Sequence, residues 1–192
     1  MLGMALRRPG KGHTRAYRPC RDHGASGFTL IELMAVVGLI GIISAIAMPG
    51  LLRARVSGSE ASAIGSLRAI SSAQSAFAAS CGSGFFAASL ALLGTPPSVG
   101  ETPYIGPGLN LDPSFKSGYS VSLEPGDPAA GAPASCNGAP AGTVVGTYFV
   151  AAMPANAGFR YFGTNQAGVV YQARVAVAVT QSGAPAGALP IQ

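Results

Sequence analysis

Side chains able to do acid–base, nucleophilic or metal chemistry are few in this 192-residue chain, and most lie where they cannot cooperate. Both histidines, His13 and His23, precede Gly27. Beyond that tail there is no imidazole, which excludes a Ser-His-Asp triad, a Cys-His pair and a His-ligated metal there. Cys20 belongs to the same tail, so Cys81 and Cys136 form a single possible pair. Glu124 and Asp127 bracket a Pro-Gly turn; their spacing is not that of a calcium loop, and they read as a solvated turn. There is no Gly-rich phosphate loop and no metal-binding cysteine cluster. No catalytic, metal or cofactor-binding set emerges, and an enzyme is not expected.

The one acid in an unusual place is Glu32. It is the sole ionisable side chain in the 25 residues from Phe28 to Leu52. An acid inside a membrane helix is costly, about 2.5–3.5 kcal/mol on insertion scales for Asp, so it should have a partner. A cut after Gly27 would supply one, because the new amine of Phe28 lies four residues earlier on the same helical face. The Phe28 amine of a neighbouring copy would serve better still: two charges at the wrong depth would cancel at one register only. The alternative is a carboxylate at the lipid interface, favoured by the positive end of the helix dipole.

The elements that position Glu32 follow from charge and hydropathy. The formal net charge is +5, yet Arg7, Arg8, Lys11, Arg15, Arg18 and Arg21 face only Asp22 within residues 1–27, and the remainder is neutral. The basicity belongs to a leader, and nucleic acid is not indicated. Residues 28–52 are long enough to cross a bilayer core, which takes about 20 apolar residues. The basic flank places the N-terminus in the cytoplasm. In an ordinary secretory signal the small-residue cleavage site follows the apolar run; here Ala25-Ser26-Gly27 precedes it. A cut there removes the charges and keeps the helix.

Residues 50–80 contain no proline, and Ile64, Leu67, Ile70 and Phe77 share one helical face with Gln74. Gly82 and Gly84 then supply a stop. Residues 28–80 therefore read as one nearly continuous helix, roughly 80 Å long. Its 28–52 part is membrane-grade and its 53–81 part is an amphipathic continuation. Gly41 and Pro49 are its costly positions, marking either a mild kink or a weak segment able to unwind during assembly. Twelve of the fifteen prolines lie beyond residue 95. There the pattern predicts a helical turn at 89–93, loops at 94–113 and 125–143, and strands at 119–123, 144–152, 159–162 and 169–179. Gly163–Gly168 reads as a hairpin connection and 181–192 as a flexible tail. Short strands cannot stand alone, so the helix's apolar stripe must cover them. The fold class is α+β, with a β-rich head at 82–180.

Gly27-Phe28-Thr29-Leu30-Ile31-Glu32-Leu33 resembles the prepilin motif of type IV pilins and of the pseudopilins of type II secretion. Glu32 is the fifth residue after the cut, Gly41 the fourteenth and Pro49 the twenty-second. Glu60–Arg68 and the segments Arg160–Phe162 and Gly168–Tyr171 are similar more loosely. The resemblance implies a type IV pilin fold and a life cycle. A prepilin peptidase cuts between Gly27 and Phe28 and N-methylates Phe28. The precursor waits in the inner membrane with its head in the periplasm. A platform protein and a cytoplasmic ATPase then drive it into a homo-oligomeric helical filament at the cell surface. The 27-residue leader is longer than that of many pilins. The implied role is a structural pilin, with a type II secretion pseudopilin as the alternative and a membrane-anchored periplasmic binding module as the remote one. Cys81 and Cys136 would then face an oxidising compartment, where an intrachain bond is expected. Two unpaired thiols or a bridge between subunits are the alternatives.

Overall fold

The computed structural model describes residues 27–156 and 159–191; residues 1–26, which hold nearly all of the expected leader, lie outside the described residues. The chain divides into two compact units, Met1–Ala45 and Ile46–Gln192.

In the first unit the described residues are the start of a single helix, α1 (Leu30–Ser80). Thr29 caps it. Its carbonyl accepts the Leu33 N–H at 3.2 Å and its hydroxyl accepts the Glu32 N–H at 3.3 Å. These two bonds satisfy donors that a helix start otherwise leaves orphaned. The helix continues through Gly41 and Pro49 without interruption.

In the second unit α1 meets a six-stranded sheet. The strands are β1 (Ser114–Lys116), β2 (Tyr119–Pro125), β3 (Tyr148–Pro154), β4 (Tyr161–Asn165), β5 (Val170–Ala173) and β6 (Leu189–Pro190). They pair antiparallel in chain order, the simplest topology for consecutive strands. One sheet face alternates as a half-buried strand should: Tyr119, Val121 and Leu123 of β2 are buried, and Ser120 and Ser122 less so. Registers Val121↔Ala152 and Leu123↔Val150 extend that inner row across β3. Ala63, Leu67, Ile70 and Phe77 of α1 complete the core from the other side, each 5 % exposed or less. The long helix packed on an antiparallel sheet is the architecture expected of the sequence.

Several boundaries differ from the sequence expectation. Residues 114–116, to which the sequence pattern assigns no element, form β1. The two-residue turn Ser117-Gly118, at φ 51° and 79°, reverses the chain into β2. Positive φ at both positions gives the turn whose twist matches a hairpin. Val144–Gly146 is not part of β3: Val145 pairs instead with Phe86 and Pro128 in isolated bridges. The strand expected over 169–179 ends at Ala173. The following segment crosses the outer sheet face, where Val177 lies against Gly163 and the carbonyls of Thr180 and Gly183 accept from Asn165 Nδ2. Phe149 is fully buried on that face, and a Cβ at Gly163 would sit 2.6 Å from its ring. The expected flexible tail returns as β6, with the Ile191 N–H on the Val170 carbonyl at 2.8 Å.

The loops are anchored by polar side chains. Gln74 is fully buried in α1, and its amide faces the backbone of Ala87. Its Nε2 donates to the Ala87 carbonyl at 2.9 Å, and its Oε1 accepts the Ala87 N–H at 2.8 Å. The side chain thus stands in for a neighbouring strand. A disulfide joins Cys81, just past α1, to Cys136, with Cα atoms 4.9 Å apart. Closing so long a loop stabilises by about 4 kcal/mol in the chain-entropy model. It fixes the 125–143 loop, where Asn137 also donates to the Leu92 and Thr95 carbonyls. Gln74→Leu keeps the bulk but leaves both Ala87 groups without a partner, so unfolding free energy should fall by about 3 kcal/mol. Urea denaturation of the full chain in detergent micelles measures it; an unchanged midpoint would show that the amide pairing contributes nothing.

Candidate functional site

The apolar segment of α1 is the chemical oddity of the fold. Phe28, Leu30, Ile31, Leu33, Met34 and the apolar residues on to Leu52 are 49–83 % exposed, with nothing in the described residues covering them. By length and composition the helix can cross a membrane. An apolar surface of this extent needs lipid or protein around it. Gly27 and Phe28 precede the helix as exposed, irregular residues, an accessible junction. Glu32 is exposed in the first turn, where the helix dipole favours an anion. Sequence reasoning missed the part played by Thr29. The signal was there: Thr-x-x-Glu is the spacing of a capping box, and the Thr half of it is formed.

The site residues named from the sequence are spread along the chain. Gly27 and Phe28 precede α1, Glu32 and Gly41 lie in its first-unit part, Pro49 lies in its second-unit part, and Cys81 and Cys136 are bonded to each other in the head.

A second acid on the same helix was not singled out, and the structure gives it a partner. Glu60 is 7 % exposed on the core-facing side of α1. Arg160, at the entrance to β4, forms an ion pair with it through Nη2. Arg160 also donates from Nε to Oε2 at 3.1 Å and from its backbone N–H to Oε1 at 3.2 Å. Its Nη1 reaches Gln172 on β5, and its guanidinium lies over the Phe162 ring at 5.7 Å. The Tyr119 hydroxyl donates to the Arg160 carbonyl at 2.9 Å. The bonds from Arg160 hold the Glu60 carboxyl below its usual range and raise the guanidinium. Burial, reinforced by the Glu60 charge, pushes the Tyr119 phenol up to about 12. This clasp fixes the start of β4 to α1; it offers no reacting group. The available clue was a lone acid on an apolar stripe, seven residues before Leu67, which had to be paired.

The clasp sets a pH dependence. Glu60 has a lowered pKa in the fold, so its contribution is complete above the unfolded value and is lost as pH falls through the folded one. Stability of the full chain should therefore fall more steeply between about pH 5 and 2 than that of Glu60→Gln. At neutral pH that variant should be less stable by about 2 kcal/mol. Parallel acid titrations of the two proteins would discount the clasp.

Residues 22–48 match the model of the prokaryotic N-terminal methylation motif. The chain is 45 % identical over 51 residues to a type IV major pilin protein, PilA, of Myxococcus xanthus (strain DK1622). That match covers 27 % of this chain and 23 % of the relative, so the chain spans about a quarter of that protein's length. No solved structure matches significantly. The motif is of the prepilin type.

Proposed function

We propose that this chain, which carries the N-terminal motif and the helix-on-sheet fold of the type IV pilin and pseudopilin family, is the structural subunit of a type IV pilus filament. One observation carries the reading: α1 begins three residues after Gly27, inside the matched motif, and Glu32 is the lone acid of its exposed apolar stretch up to Leu52. In this reading a prepilin peptidase removes residues 1–27 and methylates the Phe28 amine. The mature protein stays in the inner membrane through residues 28–52, its head outside. Assembly exchanges lipid around that helix for the helices of other subunits. The transfer between two apolar surroundings involves no hydrophobic gain, so packing and polar pairing must select the arrangement. Glu32 supplies the polar term by meeting the Phe28 amine of the next subunit. Gly41 and Pro49 leave a segment in which the helix can yield when packed. A platform protein and an ATPase supply the work. The similarity to a major pilin favours the pilus over a secretion pseudopilus.

Two substitutions test separate steps. Gly27→Leu places a branched side chain at the scissile junction and should leave uncut precursor in the inner membrane, seen as the full mass on immunoblots. Normal filaments from that strain would remove the proposed cut site. Glu32→Val makes the membrane segment more apolar, so insertion and cleavage should persist while filament number drops at least tenfold, the loss of about 1.4 kcal/mol per contact. Counting sheared filaments and membrane-held subunit in one strain checks it; undiminished filaments would leave Glu32 no role in assembly.

A further inference from the structure

Where the apolar run of α1 ends, two adjoining cavities open on the second unit. One, of about 540 Å³, is lined by Leu52, Arg55, Val56, Ser59, Asn156 and Phe159, with the Ser117-Gly118 turn. The other, of about 440 Å³, is lined by Leu51, Leu52 and Arg55. They share Leu52 and Arg55, so they are two ends of one groove. Its walls are graded. Leu51 and Leu52 are the last apolar residues of the run, and both are exposed. Arg55 follows about 4.5 Å further along the helix axis. Ser59, Asn156 and the Ser117 hydroxyl then add hydrogen-bonding groups. Among the described residues no acidic side chain lines either cavity. The nearby Glu60 is already held by Arg160. The Ser117-Gly118 wall is pinned to α1 by a 2.9 Å bond from the Ser62 hydroxyl to that of Ser117, so it does not depend on a ligand for its position.

We propose that this groove binds the phosphodiester headgroup of an anionic phospholipid in the outer leaflet of the membrane that holds the helix. The proposal rests on the membrane-spanning reading of residues 28–52. That segment, 25 residues long, exceeds the about 20 needed to cross the hydrocarbon core, so its far end reaches headgroup depth. An acyl chain lies along Leu51 and Leu52, the phosphate meets the Arg55 guanidinium, and Ser59 and Asn156 bond the remaining polar atoms. Charge complementarity selects an anionic lipid over a zwitterionic one. Arginine suits the task through its planar fork of donors. A subunit leaving the membrane must give up this lipid, so the groove adds a step to extraction.

Arg53 provides the control. It lies at nearly the same depth and carries the same charge, yet lines neither cavity. The full chain is reconstituted in phosphatidylcholine vesicles containing a photoactivatable phosphatidylglycerol, and cross-linked peptides are mapped. Cross-links should fall on 52–59 and 117–118. They should exceed those from an equivalent phosphatidylcholine probe, fall about fivefold in Arg55→Gln and stay unchanged in Arg53→Gln. Equal losses in both variants would mean diffuse surface attraction and would overturn the proposal. So would equal labelling by the two lipids. Flotation of the same vesicles separates the two readings: a chain that does not float lacks the membrane segment itself, and a chain that floats without the labelling lacks only the lipid site.

Discussion

A single antiparallel sheet has an apolar face that must be removed from water, and in this protein one stripe of one helix does most of that. Leu67, Ile70 and Phe77 are fully buried against Tyr119, Val121, Tyr148, Val150 and Phe162. The stripe cannot slide, because three side chains along it are committed to particular backbone groups or charges. Glu60 holds Arg160, Gln74 holds Ala87, and Cys81, immediately beyond the helix, is bonded to Cys136. Apolar contact supplies the drive, being non-directional. The polar contacts supply register, since a shift of one residue would bury Glu60 or Gln74 without a partner.

The head has long stretches without helix or strand, and their backbone groups also need partners. Side-chain amides provide many of them. Asn137 binds the carbonyls of Leu92 and Thr95, and Asn165 those of Thr180 and Gly183. In each case one buried amide ties a loop to a remote segment. The chain thereby fixes Gly- and Pro-rich segments that propensity alone would leave loose. The outer sheet face follows the same logic: the 174–188 segment covers Phe149, and Gly163 makes room for its ring.

Much of this was legible in the sequence where one periodicity dominated. The helix, its Leu67–Ile70–Phe77 stripe and the place of Gln74 on it followed from spacing alone. With one pair of cysteines outside the leader, an intrachain Cys81–Cys136 bond was the expectation, with unpaired thiols or a bridge between subunits as alternatives, and the intrachain bond is the one formed. What escaped were features set by tertiary partners. Val169–Val179 alternates well enough for a long strand, but after Ala173 the chain does better covering Phe149 than lengthening β5. The tail was read as frayed because Pro and Gly suggest it, yet Leu189–Pro190 finds the free edge of β5. Glu60 and Arg160 stand 100 residues apart, and no local pattern joins them.

The two acids of α1 make the functional division of the helix visible. Both interrupt an apolar surface, so both carry a desolvation cost that must be offset. Glu60 is offset within the chain, by a guanidinium, a backbone N–H and the surrounding core, and its pKa falls accordingly. Glu32 has its own helix start: the Thr29 hydroxyl takes the Glu32 N–H, and the first-turn position favours its charge. Those terms stabilise the helix end whether or not another molecule is present. They leave the carboxylate without an ion-pair partner among the described residues. An acid whose cost is met inside the fold is a structural device. One whose cost is left open, on an apolar surface that itself needs covering, calls for another molecule, and in the proposed filament a neighbouring helix would meet both needs in one contact.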